Sequence, residues 1–532
     1  MECNKKGMPL WIYYWAALVG VSLLTRSYVP IDETRYVSVA WEMWLRGDFL
    51  VPHLNGEIYS QKPPLLFWMF NLGWALFGVN DLWPRLVSPL FGLASLFLTM
   101  RIARRLWPDR PHTASAAPLI LVCSMLWSIF LSAVMFDMLV VFFTLLGVLG
   151  IVHSWKKGGI TGWMILGAAV GFGILSKGPV ILVHTLPLAL LAPWWAVEHQ
   201  PGSWARWYSG VALSILIGIV IGLAWAVPAA LSGGEQYAQA IFWKQSAGRV
   251  AKSFAHERPF WWYVPLLPAL LFPWALWPAL WRAFCGLRSD PPSSPVRICF
   301  AWLVSGLAIF SLISGKQPHY LLPLFPAFAL ISSYALDRGV VHLSWDPIFP
   351  GIALATLGAG LLALMYFSGD PMLIKGFARA GPYCGYALIT AGILMPVSCA
   401  LLRMRPILPV SAAALALVLM LDVSLIRVMA AYDVRGLSAY VGSMQRAGVA
   451  VSYVGTYHGM FNFLGRLDDP VESIREEEVA QWARSHPEGL VIADEEHLQP
   501  REGMVPVYEY DYGVHHTIRV WKGRTIVAAQ GR

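Results

Sequence analysis

Charge is what this sequence has least of. Only 13% of its 532 residues are charged, against 57% hydrophobic, and ordinary soluble domains carry about 25% charged residues. That balance excludes a simple water-soluble globule. No dense Lys/Arg patch suited to nucleic acid is present, so nucleic acid is not an expected partner. The formal net charge of +8 fits anionic lipid headgroups or lipid phosphates instead. Cysteine is scarce too: Cys3, Cys123, Cys285, Cys299, Cys384 and Cys399 lie mostly in or beside apolar runs. None has metal-type spacing, no disulfide framework is indicated, and buried thiols are expected. An A-x-A-like cleavage site is missing after the first apolar run, so that run is expected to stay as a span.

What the chain has in quantity is apolar length. Hydropathy, punctuated by charge, Pro and Gly, predicts about thirteen spans. They fall at about 9–24, 84–100, 116–134, 138–153, 162–175, 179–196, 208–231, 260–281, 298–314, 320–336, 347–367, 383–402 and 407–429. Leu65–Gly78, which follows Pro63 and Pro64, is expected to lie along the interface rather than cross. With the amino terminus inside, Lys5, Lys6, Arg101, Arg104, Arg105, Lys156, Lys157, Arg282, Arg288, Arg403 and Arg405 collect on the inner side, a modest positive-inside bias. An odd span count then places the tail outside. The fold class expected is an all-α polytopic membrane protein with a small α/β domain after it. Residues 1–429 form the membrane domain, with a long first outer loop at 25–83, and residues 430–532 the outer domain. In that tail "VAVSYVG", "GLVIAD" and "HHTIRVW" read as strands. In "DDPVESIREEEVAQWARSH", Asp469 reads as a helix N-cap with Pro470 at the first helical position.

The scattered polar residues sort to one side of this topology. Asp32, Glu33, Arg35 and Lys62 fall in the first outer loop, and Asp137 at the outer entrance to the fourth span. Lys177 sits in the turn "LSKGPV". Lys244, Arg249, Lys252, His256 and Arg258 precede the eighth span, and Lys316, His319 and Tyr320 lie in "SGKQPHYLLP". A transport pathway needs polar groups at mid-depth with access from both sides, and Asp422 is one of few inside a span. A lipid-linked sugar transporter is therefore the alternative reading. Several cations at a membrane surface can hold a phosphate leaving group, while a carboxylate orients or deprotonates a hydroxyl. Paired carboxylates alone would also suit glycoside hydrolysis.

Each residue has a bland reading beside the chemical one. Asp32 is placed to cap an interfacial helix starting near Glu33, and Glu33 reads as structural. Asp137 can cap the fourth span, and Lys62 can snorkel to headgroups. Trp261, Trp262 and Tyr263 fit an interfacial aromatic belt.

The stretch "PIDETRYVSVAWEMWLRGDFLVPHLNGEIYSQKPPLLFW" resembles the first outer loop of bacterial membrane glycosyltransferases of the C-type fold. The branch in question contains the lipid A aminoarabinose transferase and the protein O-mannosyltransferases. "GILSKGPV", "HERPFWWYVPLLPALLFPW" and "KQPHYLLPLFPAFAL" match further stretches in the same order, over roughly residues 9–335. The resemblance implies a polyprenyl-phosphate sugar donor, a lipid or glycan acceptor and a place in the bacterial inner membrane with the tail periplasmic. It also implies Asp32 at the catalytic centre, Asp137 as a second carboxylate, and Lys62 and Tyr320 on the donor phosphate. Arg35, Tyr59, His256, His319 and Lys177 are expected, on the same resemblance, at the donor phosphate pocket. Two departures stand out. Gln61 replaces the acidic residue that accompanies a metal in the aminoarabinose branch, and an amide is a poor ligand for a divalent cation. His319 stands where relatives often carry arginine.

Overall fold

The computed structural model describes residues 8–247, 257–289, 292–343, 345–367, 381–401, 406–424, 426, 430–513 and 516–530. Among these, eight helices are long and apolar enough to cross a membrane: Leu82–Leu106 (α4), Asp137–Lys157 (α7), Trp204–Trp243, Ser294–Leu312, Pro318–Asp337, Ile348–Phe367, Gly381–Leu401 and Ile407–Ser424. The pair Pro111–Val122 (α5) and Met125–Leu131 (α6), bent by 69°, brings the number to nine if it counts as one span. The chain is a polytopic membrane protein. Of the thirteen expected runs, three fold as shorter apolar helices: Leu10–Thr25 (α1), Thr161–Lys177 (α8) and Val180–Leu190 (α9).

The run expected at 260–281 is not one helix. Pro265, Pro268, Pro273 and Pro278 break it into Val264–Leu266, Leu267–Leu270, Trp274–Leu276 and Pro278–Gly286. A proline inside a helix removes one hydrogen bond and clashes with the preceding turn. Four in succession leave no room for a regular span. Leu65–Phe77 (α3) is helical and largely buried, packing on the amphipathic helix Asp32–Arg46 (α2).

Small residues set how the helices around the site approach. A Cβ built on Gly150 of α7 would lie 2.6 Å from the Gly162 carbonyl of α8, so these backbones touch. Such contacts replace hydrophobic drive in a lipid environment. Across the tight turn at Gly158 and Gly159, α7 and α8 run antiparallel, which returns the end of α8 to the start of α7. Gly171 of α8 packs as closely against Ile221 of the long helix Trp204–Gln239, whose backbone departs from helical geometry at Gly234.

The tail carries a five-stranded sheet in the order β4-β3-β5-β7-β6. The strands are β3 (Val451–Val454), β4 (Glu472–Ile474), β5 (Leu490–Asp494), β6 (Tyr508–Tyr512) and β7 (His516–Lys522). β3 pairs parallel with β4 and β5, while β7 runs antiparallel to β5 and β6. The β-branched runs expected as strands are β3, β5 and β7. Asp469 and Pro470 do not start a helix. The chain there runs extended into β4, and the next helix is Val479–Ser485 after a short turn over Glu476–Glu478. A contact across the fold explains this. Asn55, in the tight turn between β1 (His53–Leu54) and β2 (Glu57–Ile58), donates to the Val471 carbonyl and accepts from its amide, both at 2.7 Å. Pro470 packs against Gly56 of the same turn.

Two further bonds clamp the sheet region to α2. Ser38 Oγ donates to the Gly459 carbonyl at 2.6 Å, and Trp41 Nε1 to the Leu467 carbonyl at 2.9 Å. Replacing Asn55 by alanine leaves both Val471 groups without these partners, at a cost of about 1–3 kcal/mol. The expected outcome is a lower thermal midpoint for Asn55→Ala in detergent. An unchanged midpoint would show that this clamp contributes nothing.

Candidate active site

The first turn of α2 collects the acidic end of the site. Ile31, not Asp32, is the N-cap; Asp32 is the first helical residue and caps nothing with its side chain. That frees its carboxylate for other partners. Helical spacing sets Asp32, Arg35 and Tyr36 on adjoining positions of one face. Arg35 pairs with Asp32, Tyr36 donates to Asp32 Oδ1 at 3.4 Å, and the Asp32 side chain is still 54% exposed. Burial, reinforced by Asp32, pushes the Tyr36 phenol above the usual tyrosine range, so it remains a donor. Tyr59 is buried within electrostatic reach of Arg35 and Tyr36.

Glu33 turns the other way and is structural, as its sequence context suggests. It accepts from Arg26, from the Val29 amide at 2.9 Å and from the Val134 amide at 3.0 Å. These bonds join the entry of α2 to the segment leading into α7.

The cationic end is built by the antiparallel α7–α8 pair. Asp137 opens α7 and Lys177 closes α8, each at the helix end whose dipole favours its charge. Lys177 Nζ lies 2.7 Å from Asp137 Oδ1, with the two side chains 18% and 5% exposed. Asp137 Oδ2 is buried and has no hydrogen-bond partner among the described residues. Lys177 also sits 5.1 Å from the Tyr320 ring centroid. His319 packs on Phe130 and Tyr320 and interacts electrostatically with Asp137, Lys177, Lys62 and Asp32. Lys62 likewise interacts with Asp137.

Asp32, Arg35, Tyr59, Lys62, Asp137, Lys177, His319 and Tyr320 therefore form one connected cluster. His256 lies outside the described residues, as do Arg249 and Lys252. Lys316 is buried and donates to the backbone carbonyls of Arg258 and Ile313, so it serves the fold of its turn.

Two cavities flank the cluster. One, of about 240 Å³, is lined by Gln61, Lys62 and Lys177 and walled by Ile219, Leu223 and Trp225 of the long helix. The other, of about 350 Å³, is lined by Arg26, Asp32, Glu33, Phe130 and Asp422. Among the described residues no group of three or more His, Cys, Asp or Glu side chains is arranged to hold a metal ion. A residue absent from the sequence reading is His458, on the loop after β3. It is half-buried and within electrostatic reach of Arg35, and its imidazole is held below the usual range by burial and that cation. No local signal marks it, because its neighbour lies hundreds of residues away in the chain.

The chain is similar in sequence and in fold to known proteins. Residues 61–228 match the family model described as dolichyl-phosphate-mannose-protein mannosyltransferase. An undecaprenyl phosphate-α-4-amino-4-deoxy-L-arabinose arabinosyl transferase of Pseudomonas aeruginosa is 33% identical over 349 residues, 63% of this chain and 60% of that protein. One from Pseudomonas fluorescens is 32% identical over 372 residues, 68% of this chain and 66% of that protein. The match thus spans just under two thirds of these relatives' length. Two crystal structures of ArnT from Cupriavidus metallidurans share the fold. The form bound to undecaprenyl phosphate has a TM-score of 0.75 at 22% identity, covering 96% of this chain and 97% of that one. The apo form gives 0.76 at 20% identity, covering 98% of both. The resemblance carried by the first-loop motifs is thus found in sequence and in fold.

Removing one member of a buried ion pair strands the other charge, at a cost of about 3–5 kcal/mol. Lys177→Met is expected to lower the thermal midpoint strongly, and adding Asp137→Asn to the same chain to recover most of the loss. Equal midpoints for the single and double variants would contradict the pairing.

Proposed function

We propose that this chain is an inverting glycosyltransferase that moves a sugar from a polyprenyl phosphate, such as undecaprenyl phosphate, to an acceptor at the membrane surface. Lipid A and other envelope glycans, lipids or proteins are the acceptor classes. The observation that carries this reading is the 240 Å³ cavity, whose lining combines two lysines with an apolar helix wall. That combination suits a phosphate with a hydrocarbon tail. The names of the curated relatives and the undecaprenyl phosphate bound to the Cupriavidus protein point the same way.

In this reading the lipid lies along the apolar wall of the long helix that lines the cavity, and Lys62 and Lys177 take its phosphate, with Tyr320 and His319 beside them. Asp32, held by Arg35 and Tyr36, orients the acceptor hydroxyl and accepts its proton. The acceptor oxygen bonds to the anomeric carbon while the bond from that carbon to the phosphate oxygen breaks. Polyprenyl phosphate leaves with the electron pair. A single displacement inverts the carbon. Phosphate is a competent leaving group, so stabilising its charge outweighs protonating it. No step is assigned to a metal, since Gln61 offers an amide where a carboxylate would be needed.

Sidedness belongs to the same proposal. Arg101, Arg104 and Arg105 stand at the far end of α4, and Lys156 and Lys157 at the far end of α7, away from Asp137. The positive-inside rule then puts the amino terminus in the cytoplasm and the cluster and sheet in the periplasm of a bacterial inner membrane. About thirteen crossings follow if the shorter and broken apolar segments also span.

Asp32→Asn is expected to lower transfer by roughly 10²–10⁴-fold while polyprenyl phosphate binding is unchanged. Wild-type turnover by that variant rules out its role. Lys62→Ala is expected to weaken polyprenyl phosphate binding about tenfold, the loss of one charge-assisted contact. Unchanged binding would remove Lys62 from the phosphate site. Movement of the lipid between leaflets without sugar transfer would favour a carrier instead.

A further inference from the structure

The cations at the far ends of α4 and α7 do more than set sidedness. Arg104 and Arg105 close α4, and Lys156 and Lys157 close α7, where the negative end of each helix dipole favours a cation. That accounts for their presence but not for their convergence. Arginines and lysines at helix ends ordinarily spread toward water. Arg105 is instead half-buried and donates from Nη1 to His153 Nδ1 of α7 at 2.8 Å. The charges bearing on this pair are all positive: Arg101 on Arg105, and Arg105, Lys157 and Arg101 on His153. Lys156 lies over the Trp155 ring, 4.2 Å from its centroid. Among the described residues, none of these arginines and lysines is in an ion pair.

Depth and shape indicate which anion fits. The 21 residues of α7 measure about 31 Å at 1.5 Å per residue, close to the roughly 30 Å of hydrocarbon. With Asp137 at one membrane surface, the last turn of α7 lies at the level of the lipid phosphates of the other. Arg105, Arg101, Phe97 and Leu93 form one i, i+4 ridge of α4. Phe97 is exposed and Leu93 half-buried, so this ridge runs from cations into the apolar depth. We propose that the adjoining ends of α4 and α7 bind the phosphate headgroup of an anionic phospholipid, with an acyl chain along Phe97 and Leu93. The guanidinium fork of Arg105 matches phosphate oxygens bidentately, and its bond to His153 leaves most of that fork for the lipid. Arg101, one turn away, and Lys157, on α7, add charge. The lipid phosphate supplies the countercharge that the described side chains do not, and ties the two helices together. A soluble phosphate would meet the same cations, but headgroup depth and the apolar ridge favour the lipid. The site lies at the membrane surface opposite the lysine-lined cavity and is independent of the transferase reading.

The test uses the purified full chain in a neutral detergent, with phosphatidylglycerol, phosphatidylcholine or inorganic phosphate as probes at matched ionic strength. Phosphatidylglycerol is expected to raise the thermal midpoint by a few degrees, since a ligand of the folded state stabilises it. Phosphatidylcholine and inorganic phosphate should not. Arg101→Gln combined with Arg105→Gln should lose that rise. Its midpoint in phosphatidylcholine should equal or exceed that of the unaltered chain, because crowded like charges have been removed. Lys157→Glu, which supplies an internal countercharge, should behave the same way. Arg105→Lys keeps the charge without the fork and should weaken phosphatidylglycerol binding about tenfold in a titration. No rise in the unaltered chain, or an equal rise from phosphatidylcholine or inorganic phosphate, overturns the assignment to an anionic lipid. A rise that survives in the double variant or in Lys157→Glu, as a lipid seated in the lysine-lined cavity would give, overturns the site.

Discussion

The site depends on one close approach between backbones. Because Gly150 and Gly162 let α7 and α8 touch, the two helix ends meet and Asp137 comes within 2.7 Å of Lys177. Without that contact a lysine at the end of an apolar helix would snorkel toward the nearest water. Held by Asp137, it instead stays beside Tyr320 and contributes to a cationic cavity wall. The pairing has a cost in desolvation that the helix dipoles partly offset. One carboxylate oxygen has no hydrogen-bond partner among the described residues, which keeps a strong acceptor next to the cluster.

The second constraint is the docking of the sheet on α2. Ser38 and Trp41 reach across to Gly459 and Leu467, and the Asn55 turn holds Val471. Ser38 lies one helical turn beyond Arg35, so the same helix that presents Asp32 also carries the docking contacts. The loop holding His458 is fixed by this arrangement beside Arg35. Folding of the tail and geometry of the acidic end of the site are therefore one problem for the chain.

Much of this was legible in the sequence, for reasons that differ by feature. Long apolar helices announce themselves because lipid demands unbroken backbone hydrogen bonding, and eight expected spans are present. The β-branched strands of the tail were equally plain. The polar residues singled out for one side do assemble, as Asp32, Lys62, Asp137, Lys177 and Tyr320 show, although the loop with His256 lies outside the described residues. Errors came where a local rule met a distant partner. Asp469 and Pro470 look like a helix start, yet Asn55 and Gly56 hold the following residues extended. Hydropathy also overlooked what four prolines do to the 260–281 run. The Asp137–Lys177 pair and the Arg35–His458 approach link positions with no periodic relation, so composition and spacing carry no trace of them.

The long helix beginning at Trp204 has a consequence for where this protein works. Up to the break at Gly234 it measures about 45 Å at 1.5 Å per residue, whereas hydrocarbon is about 30 Å thick. A rod that exceeds its solvent layer must lean or stand proud of it, and either response changes with bilayer thickness. Since this rod also walls the lysine-lined cavity, stretching or thinning the membrane moves one side of the entrance relative to the other. Host lipid composition would then act as a mechanical tuning of access, with no change in any residue.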